Sequence, residues 1–256
     1  MYESRGEVRM IGYNEYRYSQ KEKMIYGSFG MFMGLIIAIL FYNNIYSVIV
    51  LLILGAVFSL KYFRQILIKK QKEKLGIQFK DAMESMISAL SAGYSLENSI
   101  YEAQKDLALI YKKDDLILQE FDYFLSQIHL HVPVEKLLLD FGERSGLEDI
   151  RIFSEILVTA KKTGGNLVKI MKRTSDNIAE KMETKREIET VIAGKKMEAN
   201  CMNIIPLAII LYLRIFSPDF LDPLYGNLLG MGIMTGALGI YGFAFWWSQK
   251  IINISV

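Results

Sequence analysis

The chain has a single cysteine, Cys201, so no internal disulfide framework is open to it, and a cytosolic or membrane setting suits it. Four prolines and no Ser-, Gly- or Pro-rich run leave no sign of a disordered linker. Histidine is nearly missing. His129 and His131 splay apart on a helix and have no cysteine beside them, which makes a poor metal site. No Gly-x-x-x-x-Gly-Lys-Ser/Thr loop exists to cradle phosphate. A net charge of +2, with no basic stripe interleaved with aromatics, argues against nucleic acid. The carboxylates Glu120, Asp122, Asp140, Glu143, Glu148, Asp149, Asp176 and Glu180 read as the solvated outer face of helices, and their spacing singles out no catalytic pair. No enzyme, no cofactor and no metal is therefore expected.

What is present is segregated. Apolar residues make up 52% of the chain and mean hydropathy is +0.21, yet 23% of residues are charged. The charges crowd into a tail, 1–23, and a central block, 64–199. The apolar run Met24 to Phe63 carries only Lys61. As one straight helix it would be about 60 Å long, twice the hydrocarbon core of a bilayer. Asn43-Asn44 interrupts it, which predicts a hairpin of two spans, 24–42 and 45–63. It is too long, and starts too late after a charged tail, for a cleaved signal peptide.

A second apolar region predicts a third span, 200–216, an external loop, 217–226, a fourth span, 227–247, and a short tail, 248–256. Pro206 and Arg214 make the third span the weakest, with a re-entrant segment as its alternative. Arg214, near the outer end, is expected to snorkel to the headgroups. Arg5, Arg9, Arg17, Lys21 and Lys23 precede the first span, and Lys61, Arg64, Lys69, Lys70, Lys72 and Lys74 follow the second. The outer turns contain neither Lys nor Arg, and Lys250 follows the last span. This asymmetry puts both termini and the central block in the cytosol. Gly30/Gly34, Gly226/Gly230 and Gly232/Gly236 are small-xxx-small pairs that let helices pack closely in lipid.

Helical periodicity fills the central block. Phe79, Met83, Met86, Ile87 and Leu90 share one face, and the helix stops at Gly93. Ser95 caps a second helix from Leu96 with Glu97 in its first turn. A third opens at Asp114-Asp115, and a fourth at Pro133. A fifth follows Gly146 and runs to the Gly164-Gly165 stop. Asn166 caps a long sixth helix that heads for the third span with little interruption. An all-α architecture is expected: a cytosolic antiparallel six-helix bundle on four transmembrane helices.

Several short motifs occur in a fixed order: Ala92-Gly93-Tyr94-Ser95-Leu96, then Phe141-Gly142-Glu143-Arg144-Ser145, then Gly164-Gly165-Asn166-Leu167, then Ala193-Gly194-Lys195-Lys196 to Ile205-Pro206. Together with the span arrangement they resemble the type II secretion system F domain family, in particular its TadB/TadC-like, tight-adherence (Flp) pilus branch. The resemblance covers about Leu75 to Pro206. It departs from the pattern in two places. Asn98 stands where a capping box prefers Glu or Gln, and the chain has one such domain where general-secretion members have two.

The resemblance implies a GspF-like fold and an inner-membrane platform for a pilus or secretion machine, with no chemistry of its own. Its implied partners are a cytosolic hexameric ATPase, pilin subunits, a paralogous platform protein or a second copy of itself, and membrane lipids. Gly93, Ser95, Leu96, Gly164, Gly165 and Asn166 would hold the motif turns. Arg144, Lys161, Lys162, Glu180 and Arg186 are the candidates for the ATPase-facing surface. A membrane-anchored helical scaffold or a small transporter is the alternative.

Overall fold

A computed structural model describes Tyr13 and residues 18–42, 44–163, 166–225 and 227–252. Among them there are helices and turns and no strand. The helices are α1 (Gln20–Phe41), α2 (Ile45–Ser91), α3 (Leu96–Ile110), α4 (Leu116–His129), α5 (Val134–Ser145), α6 (Glu148–Thr163), α7 (Leu167–Phe216), α8 (Pro218–Leu221) and α9 (Leu228–Ile252). A single 3-10 turn, Asp222–Leu224, separates the last two. Four helices, α1, α2, α7 and α9, are long and apolar enough to cross a membrane.

Contacts divide the chain into two units, 1–17 with 66–183, and 18–65 with 184–256. In the first unit, one face of each helix supplies the core: Leu75, Phe79, Met83 and Met86 from α2, Ile100 and Leu107 from α3, Phe121 and Phe124 from α4, Leu138 and Phe141 from α5, Phe153 and Leu157 from α6, Met171 and Ile178 from α7. These positions recur every three or four residues, the spacing that lines up one stripe of a helix. Burying each large side chain contributes about 1.5–3 kcal/mol. The rings meet edge-on at Phe141, whose centroid lies 5.9 Å from Phe79 and 5.8 Å from Phe124.

Helix ends are set by local chemistry. Gly93 has φ +92°, while Gly93 N–H donates to Leu90 and Tyr94 N–H to Ala89, which closes the end of α2. Gly146 ends α5 with φ +60°. Asp115 and Pro133 precede the first turns of α4 and α5.

In the second unit, α1 and α2 approach backbone to backbone. A Cβ built on Gly30 would overlap the Gly55 carbonyl, and one on Gly34 the Leu51 carbonyl. Gly232 and Gly236 meet no atom within 4 Å. Leu40, Phe41 and Met234 form a small core, with Leu207 and Tyr225 packed on it. Arg214 donates to the carbonyl oxygen of Ile39 and lies 5.1 Å from the centre of the Tyr225 ring. Its charge thus meets a carbonyl near the end of α1 and an aromatic face. The third span is helical without a break to Phe216, with Pro206 inside α7. Asn43 and Gly226, which belong to the two expected turns, lie outside the described residues.

Candidate functional site

The first motif turn is held at both ends. Ser95 Oγ accepts the backbone N–H of Asn98 at 3.2 Å, satisfying one of the orphan donors at the start of α3. Leu96, the next residue, is buried in the core. Gly164 and Gly165 lie outside the described residues, but Asn166 Oδ1 accepts the N–H of Lys169 at 3.1 Å and caps α7 as expected.

Lys161 joins α6 to the Ser95 turn. Its Nζ lies 2.5 Å from Glu135 Oε1 on α5 and 3.7 Å from Glu97 Oε1 on α3. Burial is the largest influence on Glu135 and opposes its ionisation, but the bond from Lys161, the backbone N–H of Glu135 and the Lys161 charge together outweigh it and hold the carboxyl below its ordinary value. The same bond raises the Lys161 ammonium. Both groups therefore stay charged through neutral pH, and Lys161 with its two carboxylate partners joins three helices.

The middle motif is built from the inside out. Phe141 sits in the core. At Gly142 an added Cβ would stand 3.0 Å from the Cα of Arg151, so α5 and α6 approach closely there. Gly142 faces Arg151, Leu138 faces Ser154, and Glu135 faces Lys161, so the two helices run antiparallel.

Arg144 completes the motif, and it points inward. It donates Nη1 to Glu120 Oε2 at 3.1 Å, Nη2 to Glu120 Oε1, and Nε to Asp140 Oδ2 at 2.6 Å. Its side chain is 16% exposed and that of Glu120 only 1%. Burial favours the neutral guanidine, but bonds to Glu120, and after it Asp140, raise the Arg144 pKa further. Tyr13 closes the cluster. Its hydroxyl donates to Glu120 Oε2, its ring stands edge-on 5.8 Å from Phe141, and Arg144 lies 5.9 Å from its centre. Burial, then the charge of Glu120, pushes the phenol pKa up, so it remains a donor.

Two expectations are corrected here. Glu120 is not on a solvated face; its carboxylate is inside, satisfied by a guanidinium and a phenol. Arg144, expected on an outward docking surface, spends its donors on two carboxylates. Of the other four candidates, Lys162 and Glu180 are exposed, Lys161 is engaged as described, and Arg186 is exposed but falls in the second unit. Sequence reasoning missed Tyr13 entirely. Glu120 had left a signal, since it falls in phase with buried Ile117, Phe121 and Phe124.

Among the described residues, no group of three or more His, Cys, Asp or Glu side chains is placed to hold a metal ion. The polar clusters are arrangements of fixed ion pairs that position helices. Compared with known proteins, the chain matches no family model, no curated protein and no solved structure.

Proposed function

We propose that this chain is an inner-membrane platform of a tight-adherence-type pilus or type II secretion machine, and couples a cytosolic ATPase to the assembly of pilin subunits. In this reading residues 64–199 form a cytosolic six-helix antiparallel bundle of GspF-like fold, both termini are cytosolic, and the chain performs no chemistry. It works beside a second copy or a paralogous platform protein.

One observation carries the reading. α2 and α7 each carry core residues of the helical unit and, further along the same helix, a membrane-length apolar segment. Each of these two helices continues from one part to the other with no loop between them. The Lys/Arg asymmetry and the order of the motif turns support the same reading.

The ATPase-facing surface is drawn from Lys162 and Glu180, with Lys161 and Arg186 beside them in sequence. Arg144 is left out, because reversing its charge would strand Glu120 in the core. The test is Lys162→Glu combined with Glu180→Lys in cells. Membrane levels of the protein should be unchanged, while surface fibres or secreted cargo are lost and the Walker-type ATPase encoded nearby no longer co-purifies. Normal assembly would reject this surface. If no such ATPase co-purifies with the unaltered protein, the membrane-anchored scaffold becomes the better reading. Reporter fusions after Lys113 that are active only outside the cell would remove the platform reading altogether.

A further inference from the structure

The carbonyl end of α1 is held by side chains from the other end of the chain. The last four carbonyls of a helix find no donor within it. In α1 these belong to Ala38, Ile39, Leu40 and Phe41. Ala38 O accepts the N–H of Tyr42 at 2.9 Å. Ile39 O accepts Nη1 of Arg214 on α7, and Leu40 O accepts the hydroxyl of Tyr225 at 2.6 Å. Three successive acceptors are thus filled, two of them by residues 175 and 185 positions away.

The surroundings hold both donors in place. Tyr225 follows the 3-10 turn, which lies against α9: a Cβ built on Gly230 would overlap the backbone of Leu224. The Tyr225 ring also receives the Arg214 guanidinium over its face at 5.1 Å. Tyr42, which ends α1, shares a 2.8 Å hydrogen bond with Thr235 on α9. Beside it Leu40 and Phe41 are buried with Met234.

Arg214 is the only charged residue between Asn200 and Phe216. A guanidinium in an apolar segment needs acceptors, and the carbonyls ending an apolar helix need donors. Those carbonyls also carry the partial negative charge of the helix end, which favours a cation. The two requirements answer each other.

We propose that Arg214 is the docking residue between the two apolar regions: together with Tyr225 it recognises the carbonyl end of α1, and so joins α1 and α2 to α7 and α9 as one four-helix cluster. The inference concerns these four helices alone, and it stands or falls independently of the platform reading.

Amide exchange of the full-length protein in nanodiscs, followed by mass spectrometry, tests it. Arg214→Leu makes its own segment more apolar, so hydropathy alone predicts a firmer span. Docking predicts the opposite for α1: exchange over residues 36–42 should speed up by about tenfold or more, with Leu116–His129 unchanged. Arg214→Lys keeps a charge that reaches headgroups but loses the planar contact with Tyr225, and should protect residues 36–42 only in part. Tyr225→Phe removes a single hydroxyl, and should speed the same residues by a smaller factor. It also keeps the test open if Arg214→Leu is not recovered from the membrane. Unchanged exchange over residues 36–42 in these variants would overturn the proposal. Full protection in Arg214→Lys would assign the residue to the headgroups instead, and equal loosening of every helix would make it a general packing residue.

Discussion

Ser154 on α6 donates its hydroxyl to the carbonyl oxygen of Leu138 on α5 at 2.7 Å, and reaches its own helix at Ile150 O over the same distance. A side-chain hydroxyl touching a neighbouring helix's backbone requires the two axes to be close. Gly142 is what permits it: an added Cβ there would meet Arg151 Cα at 3.0 Å and Ser154 Oγ at 3.3 Å. Gly142→Ala is expected to destabilise the protein by about 1–3 kcal/mol through overpacking. The thermal midpoint of the detergent-solubilised protein reads this directly, and an unchanged midpoint would contradict so close a contact.

The Ser95 cap gives a pair of opposed effects. Ser95→Ala removes the acceptor for Asn98 N–H and should cost about 1 kcal/mol. Asn98→Glu supplies the missing half of a capping box, reaching back to the Ser95 N–H, and should add about 0.5 kcal/mol. If both substitutions move the midpoint in the same direction, the cap is not what limits this turn.

Glycines in the apolar helices separate into two classes. Gly34→Ala and Gly55→Ala drive a methyl into the partner helix's backbone and are expected to cost about 1–3 kcal/mol each. Gly236→Ala meets open space and should be neutral or stabilising by up to about 1 kcal/mol, since alanine is the better helix former. Comparable losses at all three positions would mean that the face carrying Gly236 is also packed in the folded protein.

Acid should weaken the helical unit in a defined window. Lys74 bonds Asp115 and holds its carboxyl below the ordinary value, and Lys161 does the same for Glu135 against the opposing effect of burial. A depressed folded pKa means the unfolded chain binds the proton more tightly. The stabilisation is therefore complete above the unfolded value, about pH 4, and is lost as pH falls through the lower folded one. Between about pH 5 and about pH 3 the midpoint should drop further for the unaltered protein than for Asp115→Asn with Glu135→Gln. Equal drops would assign the acid sensitivity to other groups.

Features set by neighbours in sequence were legible beforehand. Gly93, Gly146, Ser95 and Asn166 act where turn and cap chemistry placed them, and the apolar phase of Phe79, Met83 and Met86 picked out residues that are buried. Two features were not. The expected hairpin stopped its second helix at Phe63, whereas α2 runs on to Ser91. Composition changes sharply at Arg64, but nothing from there to Leu75 breaks a helix, and a change of polarity alone does not end one. The Tyr13–Glu120–Arg144 cluster depends on residues far apart in the chain, and no periodicity links a tail tyrosine to an arginine on α5. Glu120 was visible by phase. Its charge type outweighed its position, because carboxylates are almost never fully buried unless paired, and the partner could not be seen.

Pro206 has one remaining consequence. It offers no N–H, so the regular helical bond to the carbonyl oxygen of Met202, one turn earlier, is missing. Bending stiffness along α7 is therefore lowest over residues 202–206. A bend in α7 concentrates in that one turn.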